Sequence, residues 1–219
     1  MPIRKKYLQR FLGCVLTATA LFATACSNDD EVQPAYKFDL AELSTNASGV
    51  ATALTLDDGT SLTLNQPIGG MKADTTFRIQ ALYVASDNGT ASVSDYAQVL
   101  SPQVVRYAEA DIKTDALDVL TCWQTAHYVN FRLAVKGTAV KVHYLGFHET
   151  NYVHNADGTV TMQVLLIHDQ NNDPLYYTRE TYLSLPFRPL SGLLRAGTDS
   201  LHVTVATFDG NKTYKFLYQ

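Results

Sequence analysis

Cysteine is nearly missing from this chain, with three in 219 residues. Cys14 lies in an N-terminal segment expected to be removed and Cys26 is expected to carry lipid, so Cys122 has no partner for an intramolecular disulfide. An exported body without disulfides must draw its stability from buried cores. Cations are scarce as well. Arg4, Lys5, Lys6 and Arg10 leave with the removed segment, so 13 of the 17 Lys+Arg remain against 21 Asp+Glu, a net charge of −8. A body of that charge repels phosphate backbones, which excludes nucleic acid as a partner. After Cys26 no apolar run reaches the roughly 20 residues that a spanning helix needs. Also absent are a Gly-x-Ser-x-Gly elbow, a His-Glu-x-x-His pair, a phosphate loop and a dinucleotide fingerprint. No catalytic residue, no metal and no cofactor is therefore implied.

What is present begins with an address. Four basic residues precede the apolar stretch Phe11 to Ala25, which ends in Leu-Phe-Ala-Thr-Ala-Cys at Cys26. Basic, apolar and small-residue regions in this order predict a signal peptide over 1–25 that is cut before a lipid-attachment cysteine. Two or three acyl chains on Cys26 would anchor a soluble body without any spanning segment. A polar tether over 26–35 follows. Its cluster Ser27-Asn28-Asp29-Asp30-Glu31 packs acid beside the lipid.

The rest of the chain alternates with period two, and helical periodicity is almost absent. Val129, Phe131, Leu133 and Val135 alternate with Tyr128, Asn130, Arg132 and Ala134, and similar runs start at Phe77, Val160 and Leu201. Asp57-Asp58-Gly59, Asp87-Asn88-Gly89, Asp157-Gly158 and Asp209-Gly210 separate such runs. Asx-Gly pairs supply the positive φ that tight hairpins demand, so these four are expected hairpin ends. The class is all-β. The charged stretch Ala108 to Asp115 interrupts the alternation and suggests two units, a small closed barrel over 36–107 and an antiparallel, immunoglobulin-like sandwich over 108–219.

Several segments carry a resemblance. Leu54 to Gly59, Asp118 to Trp123, Tyr128 to Leu133, and Asp173 to Tyr177 running into Tyr182 to Pro186 resemble, in order and content, the NigD-like lipoproteins of Bacteroidetes. The resemblance spans nearly all of the mature chain. It implies an N-terminal OB-like barrel and a C-terminal β-sandwich, and it carries no catalytic or binding residues over to this sequence. In such lipoproteins an acidic cluster after the cysteine directs export, so the resemblance also implies that Ser27 to Glu31 place the body on the outer face of the outer membrane, with the periplasmic face as the alternative.

Three groups could carry chemistry. Asp169-Gln170-Asn171-Asn172-Asp173 has oxygen-bearing side chains at alternate places of a calcium loop, with Glu180 at the twelfth. Pro174 occupies the sixth place, where that loop needs glycine. The strand that follows rises about 3.3 Å per residue and carries Glu180 away, so a solvated hairpin loop is expected. All six histidines, His127, His143, His148, His154, His168 and His202, fall in the second half. No close pair has zinc spacing, and His143 and His148 are an odd number apart, on opposite faces of an unbroken strand. Tyr176, Tyr177 and Tyr182, with Phe187 nearby, form the candidate ligand platform, since tyrosine suits recognition surfaces and sugar rings. Cys122, beside Trp123 in an apolar run, is expected to be a buried and inert thiol. The reading that follows is a lipid-anchored envelope module that recognises a protein or glycan without catalysis. An enzyme acting on envelope polymers and a structural part of a surface assembly are the alternatives.

Overall fold

The computed structural model describes residues 34–138 and 140–219. Beyond two one-turn 3₁₀ helices, every regular element among them is a strand. Strands β1 (Tyr36–Thr45), β2 (Ala51–Leu56), β3 (Ser61–Ile68), β4 (Thr76–Ser86) and β5 (Thr90–Gln98) close into a barrel in the order β1-β2-β3-β5-β4. The closing seam is parallel, with Thr63 opposite Thr90 and Leu64 opposite Ala91. Five strands enclose a narrow bore, and the sequence fits it by mixing large and small side chains. Leu43, Leu54, Ile79 and Tyr83 are fully buried beside Ala41, Ala51, Ala81 and Ala91.

Eight more strands make a sandwich: β6 (Val104–Val105), β7 (Asp118–Gln124), β8 (Tyr128–Gly137), β9 (Tyr144–His154), β10 (Val160–Asp169), β11 (Tyr177–Pro186), β12 (Ser200–Thr207) and β13 (Gly210–Leu217). One sheet runs β13-β12-β10-β9-β6 and the other β11-β8-β7. Pairing is antiparallel except at the β10–β12 and β6–β9 seams. The inward-facing residues anticipated for β8, Val129, Phe131, Leu133 and Val135, join Phe147, Met162, Leu183 and Leu201 in one apolar core. All four Asx-Gly sites end hairpins, and Gly59, Gly89, Gly158 and Gly210 all have positive φ.

The barrel's last strand ends at Gln98 and the sandwich begins at Val104, ahead of the charged stretch 108–115. That stretch lies against β10, where Asp115 N–H donates to His168 O at 2.9 Å and His168 N–H to Lys113 O at 3.0 Å. The connection between the two bodies is tied on both sides. Val99 N–H donates to Arg78 O of the barrel at 2.8 Å, and Ser184 N–H of the sandwich donates to Leu100 O at 2.9 Å.

Candidate ligand-binding cleft

Strand β8 is buried on both faces. Its odd-numbered residues fill the sandwich core, so Tyr128 and Asn130 project from the other side of the sheet, and both are buried. The barrel covers them. Arg78 of β4, 4% exposed, aims its guanidinium at this face. It grips Asp57 with two parallel bonds, Nη1 to Oδ1 at 2.6 Å and Nη2 to Oδ2 at 2.8 Å. Its remaining donors go to Asn130 Oδ1 at 3.0 Å and Ser184 Oγ at 3.2 Å. Ser184 Oγ also donates to Asn130 Oδ1 at 2.7 Å, and Asn130 Nδ2 donates to Asp57 Oδ2 at 3.1 Å. The Tyr128 ring stacks 4.1 Å below the guanidinium carbon. Its hydroxyl donates to Glu42 Oε1 at 2.5 Å, and burial together with that carboxylate pushes the phenol pKa well up. A buried charge endures only when paired and hydrogen-bonded, and this one has a carboxylate partner and four hydrogen bonds.

Beside this clamp the two bodies leave a cleft of about 350 Å³. Phe38, Asp39, Asp58 and Gln80 line it from the barrel, and Trp123 and Tyr182 from the sandwich, with Asp57 at its clamped edge. Trp123 and Tyr182 meet edge to face, their ring centres 6.5 Å apart at 82°. Phe38 is 62% exposed on the facing wall. The three carboxylates are all engaged by donors. Asp57 is held by Arg78, Asp39 Oδ2 accepts from the Tyr83 hydroxyl at 2.9 Å, and Asp58 Oδ1 accepts from Thr60 N–H at 2.8 Å. Burial and the Asp39 carboxylate raise the Tyr83 phenol to about 12. The Thr60 amide and hydroxyl hold the Asp58 carboxyl below its usual range. The cleft therefore offers fixed acceptors and aromatic faces, a set suited to hydroxyl-rich or cationic ligands.

Of the three tyrosines expected to form a platform, Tyr182 lines this cleft and the other two do not. Tyr177 and Tyr182 are five residues apart on β11, which turns them to opposite faces. Tyr176 and Tyr177 pair with each other, ring centres 6.5 Å apart, at 75% and 68% exposure. Phe187 is buried against Tyr218 in the core. Trp123 and the Arg78–Asp57 clamp were not singled out as site residues in the sequence. Their only signal was the outward register of β7, β8 and β11, and nothing local told which outward faces meet the barrel. Cys26 and Ser27, Asn28, Asp29, Asp30 and Glu31 lie outside the described residues. Cys122 is half-buried against the sandwich core rather than fully enclosed, and burial pushes its thiol up.

The Asp169–Asp173 loop is structural in a way its spacing did not indicate. Asp173 is buried, accepts from Thr138 N–H at 2.7 Å and from the Thr138 hydroxyl, and faces His143 Nε2 at 3.3 Å. Glu180 pairs with Arg132 at 2.6 Å on the outer face of β11. His143 Nδ1 lies 3.0 Å from His168 Nε2, and His168 Nδ1 lies 2.9 Å from the Asp115 carbonyl. A carbonyl only accepts, so His168 Nδ1 carries the hydrogen and its Nε2 accepts from His143. Thr138 holds the Asp173 carboxyl below its usual range, so that carboxylate also accepts. Both nitrogens of His143 thus face acceptors. Burial pushes the second ring, His168, down in pKa and keeps it neutral. Gly137 permits the arrangement, since a Cβ there would lie 2.4 Å from Asp173 Oδ2. Among the described residues, no group of three or more His, Cys, Asp or Glu is placed to hold a metal ion.

The family model for the NigD-like C-terminal beta sandwich domain matches residues 101–218. Among solved structures, a NigD-like immunity protein from Bacteroides caccae is 24% identical with a TM-score of 0.65, over 85% of this chain and 99% of that one. A Parabacteroides distasonis protein provisionally named toxin-related is 18% identical with a TM-score of 0.66, over 84% and 93% of the two chains. A Bacteroides fragilis protein provisionally named a lipoprotein is 9% identical with a TM-score of 0.61, over 85% and 99%. At these identities the likeness is one of fold, and it extends through barrel and sandwich together. None of the curated proteins matches the chain. No helix among the described residues is long and apolar enough to cross a membrane.

Proposed function

The chain belongs to the NigD-like family, and from that premise we propose a lipid-anchored envelope lipoprotein that recognises a glycan in the cleft between barrel and sandwich, without catalysis. One observation carries the reading. Trp123, Tyr182 and Phe38 face a space whose three carboxylates are already held by donors. Paired catalytic acids work by having their pKa values pushed apart, one raised and one low. Here Asp58 is lowered, and Asp57 and Asp39 are committed to Arg78 and Tyr83. Clamped acceptors beside aromatic rings bind hydroxyls and stack on sugar faces instead.

Anchoring through Cys26 and display at the cell surface by way of Ser27 to Glu31 complete the proposal. The lipoprotein description of the Bacteroides fragilis neighbour supports the anchor. The immunity and toxin-related descriptions of the other two neighbours favour a second reading, in which the occupant is a basic peptide held by the same acceptors. The test is capture of fractionated envelope polysaccharide on the immobilised mature chain, with Trp123→Ala as the control. Retention of polysaccharide by the wild type and its loss in Trp123→Ala supports the glycan. Retention of basic peptides alone establishes the second reading, and equal behaviour of both proteins removes the cleft from either.

A further inference from the structure

The far end of the sandwich has a second cavity, of about 370 Å³, between the two sheets. Leu100, Val135, Val142 and Leu145 form its apolar side, Lys141, His143, Glu180 and Thr181 its polar side, and Arg179 of β11 lies between them. Strand β11 is outermost in its sheet, and Arg179 shares the inward face with Leu183 and Leu185. The neighbouring charges are spoken for. Lys141 Nζ donates to the carbonyls of Asn171 and Asn172 at 3.1 and 3.2 Å. Glu180 turns out to Arg132, and His143 is bonded on both sides. The Arg179 side chain has neither a hydrogen bond nor an ion pair among the described residues, and its Nε is buried without a partner.

A guanidinium without a protein carboxylate is open to an anion, and a carboxylate fits its fork with two parallel bonds. Leu100, Val135, Val140, Val142 and Leu145 supply the apolar part of the lining, beside Lys141, His143, Glu180 and Thr181, so an anion that carries a hydrocarbon part matches it better than sulfate does. The volume sits at the lower end of the roughly 300–1,000 Å³ typical of small-molecule sites, which limits that part to a single chain. We propose that this cavity binds a single-chain amphipathic carboxylate of the fatty-acid class, its head on Arg179 and its tail against Leu100, Val135, Val142 and Leu145. The site is separate from the aromatic cleft, and neither reading depends on the other.

Calorimetric titration of the mature chain, carrying Cys26→Ser for solubility, with octanoate, decanoate and decanol below their micelle or solubility limits tests it. Decanoate should bind more tightly than octanoate, by about four-fold for each added methylene that is buried. It should also bind at least ten-fold more tightly than decanol. Arg179→Gln should weaken decanoate at least ten-fold and leave decanol unchanged. Decanol equal to decanoate on the wild type would overturn the proposal without recourse to any variant. So would absence of binding at millimolar decanoate, or equal affinity of Arg179→Gln and wild type; Arg179 would then be an inward charge that guards an exposed sheet edge against pairing.

Discussion

Arg78 Nη2 of the barrel lies 3.0 Å from Asn130 Oδ1 of the sandwich, 52 residues away in sequence. The same guanidinium holds Asp57 and Ser184. This bond therefore fixes the angle between the two bodies and, with it, the width of the cleft beside Asp57. Removing the guanidinium leaves the buried Asn130 and Ser184 short of a donor and Asp57 without its countercharge.

Arg78→Ala should cost about 3–5 kcal/mol, the usual result of stripping one partner from a buried ion pair. Arg78→Lys should recover little, because an ammonium cannot reproduce the two parallel bonds to Asp57 while serving Asn130 and Ser184. Urea unfolding measures both. A loss below about 1 kcal/mol for Arg78→Ala would place the interface energy elsewhere.

The hydrogen-bond chain from Asp115 through His168 and His143 to Asp173 places the Asp115 carbonyl against Nδ1 of His168 and so puts that ring's hydrogen there. Nitrogen-15 NMR of the imidazoles should show His168 as the Nδ1–H tautomer, its hydrogen on the nitrogen that faces the Asp115 carbonyl. Gly137→Ala should disturb the signals of both rings, since the added methyl meets Asp173 Oδ2 and His143 Nε2. An Nε2–H tautomer of His168 with a bare Nδ1 would contradict the chain.

Much of the fold was legible. Val129, Phe131, Leu133 and Val135 announce an inward face by period, and Asp57-Asp58-Gly59 announces a hairpin because only its glycine takes the positive φ cheaply. The opposite face of β8 was not legible. Tyr128, Asn130 and Arg132 read as an ordinary solvated side of a strand, and only the docking of a second body buries the first two. Trp123 and Tyr182 meet for the same reason, through pairings of β7 and β11 with β8 that no local pattern declares. His143 and His168 are brought together by the β9–β10 pairing, which aligns Tyr144 with Asp169. Spacing rules for metal sites look along the chain and miss a pair made across a sheet.

Asp199 predicts a pH response. Its buried carboxylate accepts from Val160 N–H and Arg195 N–H at 2.8 Å each and from the Arg195 guanidinium. Chiefly through Arg195, its carboxyl is held far below the ordinary value near 3.8. The unfolded chain takes up this proton first as pH falls. The contribution of Asp199 is therefore complete above the ordinary carboxylate range and is lost as pH drops towards the folded value. Asp199→Asn should melt lower than wild type at neutral pH, and the gap should narrow on acidification. A gap that widens in acid would reverse the sign.

Cys122 should react slowly. Its sulfur packs against the sandwich core and burial raises its pKa, so little thiolate is present at neutral pH. A thiol reagent should label the unfolded mature protein fast and the native one slowly. Comparable rates would show an accessible thiolate.

Trp123 is the single tryptophan of the chain and lines the aromatic cleft, so its emission reports on that space alone. The most direct measurement is titration of the mature protein with oligosaccharides released from the envelope of the producing cells. We expect a saturable blue shift, weakened at least ten-fold by Tyr182→Ala and also reduced by Asp58→Asn. Emission unchanged at millimolar sugar, or a saturable shift that Tyr182→Ala leaves intact, would contradict glycan recognition in the cleft.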